Sequence, residues 1–188
     1  MLEALSVVVL GASGDLAKKK TYPSLFELYV QGLLPEHVVV CGFARSAKTD
    51  EEFRAGMRPF LKHDDEPSKV DRFLERCYYR KGGYGGKESF AELSKELTEW
   101  ENNQQAGPVA NRLYYFAIPP NVFLESGAAI KAEGVSPTGW TRLIVEKPFG
   151  HDLASAEQLV RDMNAIFSED YIYRIDHYLG KASLCPIP

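Results

Sequence analysis

The sequence predicts a doubly wound, Rossmann-type α/β domain with a parallel sheet, and three observations predict it. Short β-branched runs without strict polar–apolar alternation recur along the chain, as in strands covered on both faces. Amphipathic helical segments separate them. A glycine turn at residues 11–17 (GASGDLA) joins the first such run to the first helical segment.

Each element follows in order. Residues 5–10 (LSVVVL) read as a buried strand that stops at Gly11. Residues 16–34 carry Leu16, Tyr22, Leu25, Phe26, Leu28, Tyr29 and Leu33 at mostly helical spacing, with Pro23 in the early turns and Gly32 and Pro35 closing the segment. Residues 37–43 (HVVVCGF) are a second buried strand, which completes a right-handed βαβ start. Residues 50–61 and 69–78 read as helices, as do residues 87–100, whose Phe90, Leu93, Leu97 and Trp100 share one face; residues 82–86 are loop. Residues 112–118 form a third clear strand ended by Pro119 and Pro120, and residues 122–132 a helix. Residues 140–146 are another strand. Asp152 then caps a helix with Leu153, Ala156, Leu159, Val160, Met163 and Phe167 in one stripe, and residues 171–175 are the last strand. No internal repeat or low-complexity linker interrupts the pattern.

With 188 residues, the chain is long enough for one domain, which buries roughly 70% of its unfolded surface. Apolar residues make up 45% and charged residues 26%, the balance of a globular protein. The 22 basic and 26 acidic residues leave a net charge of −4, so no global positive field attracts nucleic acid or an anionic membrane. Any bound phosphate must be held locally. No apolar run reaches the roughly 18 residues of a membrane span, and the early apolar run lacks the flanks of a signal peptide. Cys41, Cys77 and Cys185 are odd in number and show no metal-ligand spacing. The expectation is a cytoplasmic protein without metal.

The glycine turn is a G-x-x-G-x-x-A variant of the dinucleotide fingerprint, formed by Gly11, Ala12, Ser13, Gly14, Asp15, Leu16 and Ala17. Residues without side chains let backbone amides approach a pyrophosphate, which then sits on the positive end of the helix. An ordinary glycine-rich turn is the competing reading. Lys18, Lys19 and Lys20 follow, like charges set against the positive end of a helix, and a bound anion relieves that conflict; a solvated basic face is the alternative. After the second strand, where NAD-binding sheets carry a carboxylate for the ribose 2′-hydroxyl, the chain has Arg45. An arginine there clamps a 2′-phosphate, which favours NADP over NAD. Lys20-Thr21 looks like the end of a P-loop, but the required glycine spacing fails.

Further along, Lys147 follows a buried strand at the carboxyl edge of the sheet, where open α/β folds bind ligands, and Pro148 fixes its backbone; a solvated lysine is the plain alternative. Residues 174–181 (RIDHYLGK) are too polar for core and suggest an anionic substrate. Asp176 and His177 are chain neighbours that point to opposite faces of an extended segment, which argues against a directly paired dyad.

Five strings, residues 11–20 (GASGDLAKKK), 42–46 (GFARS), 111–120 (NRLYYFAIPP), 143–150 (LIVEKPFG) and 173–181 (YRIDHYLGK), resemble the glucose-6-phosphate dehydrogenase family in the same order and at closely similar spacing. The resemblance implies NADP-dependent oxidation of glucose 6-phosphate at C1 to 6-phosphogluconolactone, the first step of the pentose phosphate pathway. It also implies that residues 11–18, ending at Lys18, hold the coenzyme loop contacts and that Arg45 holds the 2′-phosphate. Tyr115 and Lys147 are then further coenzyme contacts, Lys147 also reaches the sugar, and Asp176, His177, Tyr178 and Lys181 bind the substrate.

In that family a second domain around a large antiparallel sheet supplies the general-base histidine, the carboxylate that orients it and the surfaces of homodimers and tetramers. The matching domain here is residues 1–181; residues 182–188 (ASLCPIP) do not match the family's continuation. The resulting expectation is that these 188 residues bind NADP but turn over glucose 6-phosphate weakly or not at all, His37, His63 and His151 being poor substitutes for the base. A non-catalytic NADP-binding fragment or splice product is the alternative reading. Another sugar oxidoreductase and an incomplete gene product are the remaining ones.

Overall fold

The computed structural model describes residues 3–62, 67–103, 107–147 and 153–175. Six parallel strands form the sheet: β1 (Ala4–Leu10), β2 (Val38–Ala44), β3 (Cys77–Lys81), β4 (Ala110–Phe116), β5 (Thr141–Glu146) and β6 (Ile172–Ile175). Their spatial order is β3-β2-β1-β4-β5-β6, so the chain leaves β1 in both directions and creates a switch point between β1 and β4. The expected doubly wound architecture is the observed one.

Val7, Val8 and Val9 are fully buried because β1 is central and both of its faces are covered. Alternate residues feed two cores. On one face Val7 and Val9 meet Tyr22, Leu25 and Phe26 of α1 (Tyr22–Val30), Phe53 and Met57 of α2 (Asp50–Met57), and Phe73 of α3 (Pro67–Glu75). On the other, Val8 and Leu10 meet Phe90, Leu93 and Leu97 of α4 (Lys87–Asn103), Phe123 of α5 (Phe123–Ala129) and Met163 of α6 (Leu153–Ile166). Burial of each such side chain contributes about 1.5–3 kcal/mol.

Several elements differ from the sequence expectation. Residues 69–78 are not one helix. The helix ends at Glu75, and Cys77 begins β3, whose register pairs Cys41 with Tyr78 and Phe43 with Arg80. The run that predicts a longer helix, Val70, Phe73, Leu74, Cys77 and Tyr78, spans both elements, because the first strand residues continue the helical spacing by coincidence. The first helical segment is also divided. A wide π turn at Ala17–Thr21 precedes α1, which ends at Val30, with Gly32 in the left-handed region at φ +69°. In α6, Met163 is buried but Leu153 is 75% exposed, so the predicted apolar stripe covers the core only in its later turns.

One buried feature has no counterpart in the sequence reading. Arg112 on β4 is fully buried and makes paired bonds to Glu101 of α4, Nε to Oε1 and Nη2 to Oε2, both at 2.9 Å. Ser6 donates to the same carboxylate at 2.8 Å. The guanidinium also reaches Ser94 Oγ and Thr98 Oγ1, both at 2.7 Å, and the Gly134 carbonyl at 3.1 Å. This network ties α4 to the sheet well below its carboxyl edge.

Candidate coenzyme site at the carboxyl edge of the sheet

The glycine turn stands at the switch point. β1 ends at Leu10, whose carbonyl accepts from Ala117 N at 3.0 Å, while Gly11 N donates to the Phe43 carbonyl at 2.9 Å. The turn is thus held to the ends of both flanking strands, β2 and β4. Gly11 has φ +82°, and a Cβ there would stand 2.1 Å from the Ala117 carbonyl oxygen. Backbone conformation and close approach both exclude a side chain. Gly42 serves the same fit from β2: a Cβ on it would lie 2.9 Å from Ala12 Cβ and closer still to the Phe53 ring.

Gly14 N closes the turn on the Gly11 carbonyl at 2.9 Å, and the Gly14 carbonyl accepts the first helical bond from Lys18 N at 3.2 Å. The amides of Asp15, Leu16 and Ala17 therefore precede any acceptor within their own helix and lie at its positive end. Gly11 packs the turn against Ala117 with no room for a side chain, and the amides that follow at the positive end of the helix fit a pyrophosphate and accommodate the dinucleotide expected from the sequence. The lysine triplet resolves differently from the expectation. Lys19 pairs with Asp15 at 2.7 Å on the exposed helix surface, and this bond holds the Asp15 carboxyl below its usual range. Part of the charge conflict is relieved within the chain; Lys18 is half-buried and Lys20 exposed.

Arg45 follows β2 directly and is exposed at the same edge. Its guanidinium lies over the Tyr84 ring, 5.5 Å from the centroid. Tyr84 arrives there because the glycine loop after β3 folds over the end of β2: Gly82 N donates to the Ala44 carbonyl at 3.0 Å, and a Cβ on Gly82 would stand 2.2 Å from Phe43 Cζ. Partial burial raises the Tyr84 phenol pKa, against the opposing pull of Arg45. Sequence reasoning set residues 82–86 down as plain loop and missed Tyr84. The available signal was an aromatic side chain flanked by two glycine pairs.

On the other side of the switch point, the half-buried Tyr115 donates its hydroxyl to Glu146, a carboxylate only 3% exposed at the end of β5. Burial first and this carboxylate second push the Tyr115 phenol well above its usual range. Lys147, the next residue, is exposed, and its backbone N donates to the Ile175 carbonyl at 3.3 Å. The structure thus brings residues 11–18, Arg45, Tyr115 and Lys147 to one edge of one sheet. Asp176, His177, Tyr178 and Lys181 lie outside the described residues, as do Pro148 and Asp152. Arg174, grouped by sequence with an anion pocket, is instead engaged by Glu169 and reaches Asn164 Oδ1 at 3.4 Å. His37, the histidine among the described residues, precedes β2 at the amino edge of the sheet. No group of His, Cys, Asp and Glu suited to a metal occurs among the described residues, and no described helix is long and apolar enough to cross a membrane.

Residues 8–184 match the family model described as glucose-6-phosphate dehydrogenase, NAD-binding domain. A chloroplastic glucose-6-phosphate 1-dehydrogenase of Nicotiana tabacum is 48% identical over 94% of this chain and 30% of its own length. A cytoplasmic one of Arabidopsis thaliana is 48% identical over 95% of this chain and 36% of its own length. Among solved structures, a glucose-6-phosphate dehydrogenase in complex with its substrate glucose-6-phosphate superposes with a TM-score of 0.88 at 42% identity, over 96% of this chain and 38% of that one. The chain spans about a third of the length of these relatives. A match of this extent, carried by the fold and by the strings that build the carboxyl edge, means that the chain belongs to the glucose-6-phosphate dehydrogenase family.

Proposed function

We propose that these residues form the NADP-binding domain of a dehydrogenase that oxidises glucose 6-phosphate at C1 to 6-phosphogluconolactone. The observation that carries the reading is the glycine turn at the switch point, packed so closely that a Cβ at Gly11 would stand 2.1 Å from the Ala117 oxygen, with the amides of Asp15, Leu16 and Ala17 at the positive end of the helix it opens. NADP, when bound, supplies the hydride acceptor. Gly11, Ala12, Ser13, Gly14, Asp15, Leu16, Ala17 and Lys18 hold its pyrophosphate through main-chain amides and helix charge. Arg45 pairs with the 2′-phosphate, and Tyr115 and Lys147 meet the nicotinamide half. Lys147 also contacts the sugar, while Asp176, His177, Tyr178 and Lys181 bind glucose 6-phosphate through its phosphate and hydroxyls. The domain is residues 1–181, with residues 182–188 outside it. The whole protein assembles as the homodimers and tetramers of its family and acts in the cytoplasm, a location supported by the cytoplasmic Arabidopsis relative.

A second reading is NADP binding without turnover by these residues, and the position of His37, the one histidine among the described residues, removes one candidate base. The seven residues of β2 separate His37 from the Arg45 edge, a span of about 23 Å. His37 is therefore out of reach of a substrate bound there.

Calorimetric titration of the chain with NADPH and NADH tests the coenzyme reading. The wild type should bind NADPH with one site per chain. Arg45→Ala should weaken NADPH binding about 10- to 100-fold, as for the loss of charge-assisted hydrogen bonds, and leave NADH affinity within about twofold. Equal losses for both coenzymes would remove Arg45 from the 2′-phosphate.

A further inference from the structure

Glu146 is a buried carboxylate at a ligand-binding edge, and no role in the reaction above uses it. Its surroundings link three elements. Tyr115 on β4 donates to it. Immediately after Glu146, the main chain of Lys147 is held to β6 through the Ile175 carbonyl at 3.3 Å.

From this arrangement we infer that Glu146 is a positioning residue. It anchors the exit of β5 to β4 and so fixes where Lys147 and the Tyr115 ring stand with respect to the nicotinamide half of the coenzyme. The inference rests on the proposed NADP reading and adds to it a residue that touches neither ligand. Its logic is geometric. Glu146 is held by its side chain from one neighbouring strand, and the following peptide is held by its backbone from the other. The Lys147 Cα is therefore set from both sides, whereas an unanchored exposed lysine would have to be ordered by the ligand. In a doubly wound sheet the two nucleotide halves lie on opposite sides of the switch point. Arg45 beyond β2 faces the adenosine half, and the Tyr115–Glu146 pair, on β4 and β5, faces the other.

That division supplies the test. NADPH affinity is measured by fluorescence titration, and that of adenosine 2′,5′-bisphosphate, the adenosine half alone, by calorimetry. The proteins are the wild-type chain, Glu146→Gln, Tyr115→Phe and the double variant. Each single variant should weaken NADPH binding about tenfold. The double variant should be no weaker than the poorer single one, since both remove one link. Affinity for the bisphosphate should stay within about twofold in all of them. Unchanged NADPH affinity, additive losses, or a parallel loss for the bisphosphate would overturn the inference, the last by showing a general effect on the fold. A wild type that binds the bisphosphate but not NADPH also overturns it, while one that binds neither removes the coenzyme reading itself.

Discussion

Replacing Arg112 by methionine should destabilise the fold by about 3–5 kcal/mol, the largest loss of stability expected from a single change in this chain. The reason is the state of its partner. Arg112 and Glu101 have side chains 0% and 3% exposed, so the pair has given up nearly all of its water. Removing the cation leaves a buried carboxylate with only the Ser6 hydroxyl, and desolvation of that charge is no longer offset. Ser94 Oγ and Thr98 Oγ1 lose this donor in the same step, while the Gly134 carbonyl keeps its bond from the Tyr114 hydroxyl at 2.7 Å. For a domain of this size the loss corresponds to a melting point lower by roughly 6–20 °C. The double variant Arg112→Met with Glu101→Leu should recover most of it, because a well-packed apolar pair needs no hydration replaced. Urea midpoints of the three proteins check this. A single variant as stable as the wild type would show that water reaches the pair and that the network does not join α4 to the sheet.

The second large effect is expected at Gly11. Gly11→Ala should weaken NADPH binding by at least about 100-fold, because the new Cβ must displace either the Ala117 main chain or the turn itself. Strain in the left-handed region adds roughly 1–2 kcal/mol to the destabilisation. Gly32→Ala separates the two causes. Gly32 also has positive φ, at +69°, but nothing lies within 4 Å of a Cβ there, and it sits at the far end of α1. That variant should share the strain and keep NADPH affinity within about twofold. Both are compared after circular dichroism shows a folded chain. Equal coenzyme affinity in the two variants would mean that the turn does not hold the ligand.

What was legible in the sequence, and what was not, divides along physical lines. β1 and β2 were legible because strands buried on both faces leave uninterrupted apolar runs. The glycine turn was legible because its conformation and its close contacts admit no side chain at Gly11. β3 was not: it is an edge strand of five residues, Cys77–Lys81, of mixed burial, and its first residues fall in phase with the helix before it. The same edge position hid Tyr84, which reaches Arg45 only because the loop after β3 folds onto Phe43. Nor could Glu101 and Arg112, eleven residues apart in helix and strand, be recognised as partners from spacing alone. Long-range pairing of this kind is set by how α4 crosses the sheet, and local periodicity does not record it. At the site, Arg45 and Lys147 were legible as residues just beyond strand ends and Tyr115 as a strand residue, whereas the pairing of Tyr115 with Glu146 required the register of β4 and β5.

Amide hydrogen exchange along residues 11–18, measured by NMR with and without saturating NADPH, tests most directly whether main-chain groups of the glycine turn grip the coenzyme. The amides of Asp15, Leu16 and Ala17 have no acceptor within their own helix, so in the free chain they should exchange rapidly, and NADPH should slow them more than any other group of amides in the domain. Saturable binding that leaves these amides unprotected, or protects a different edge of the sheet, would contradict the account.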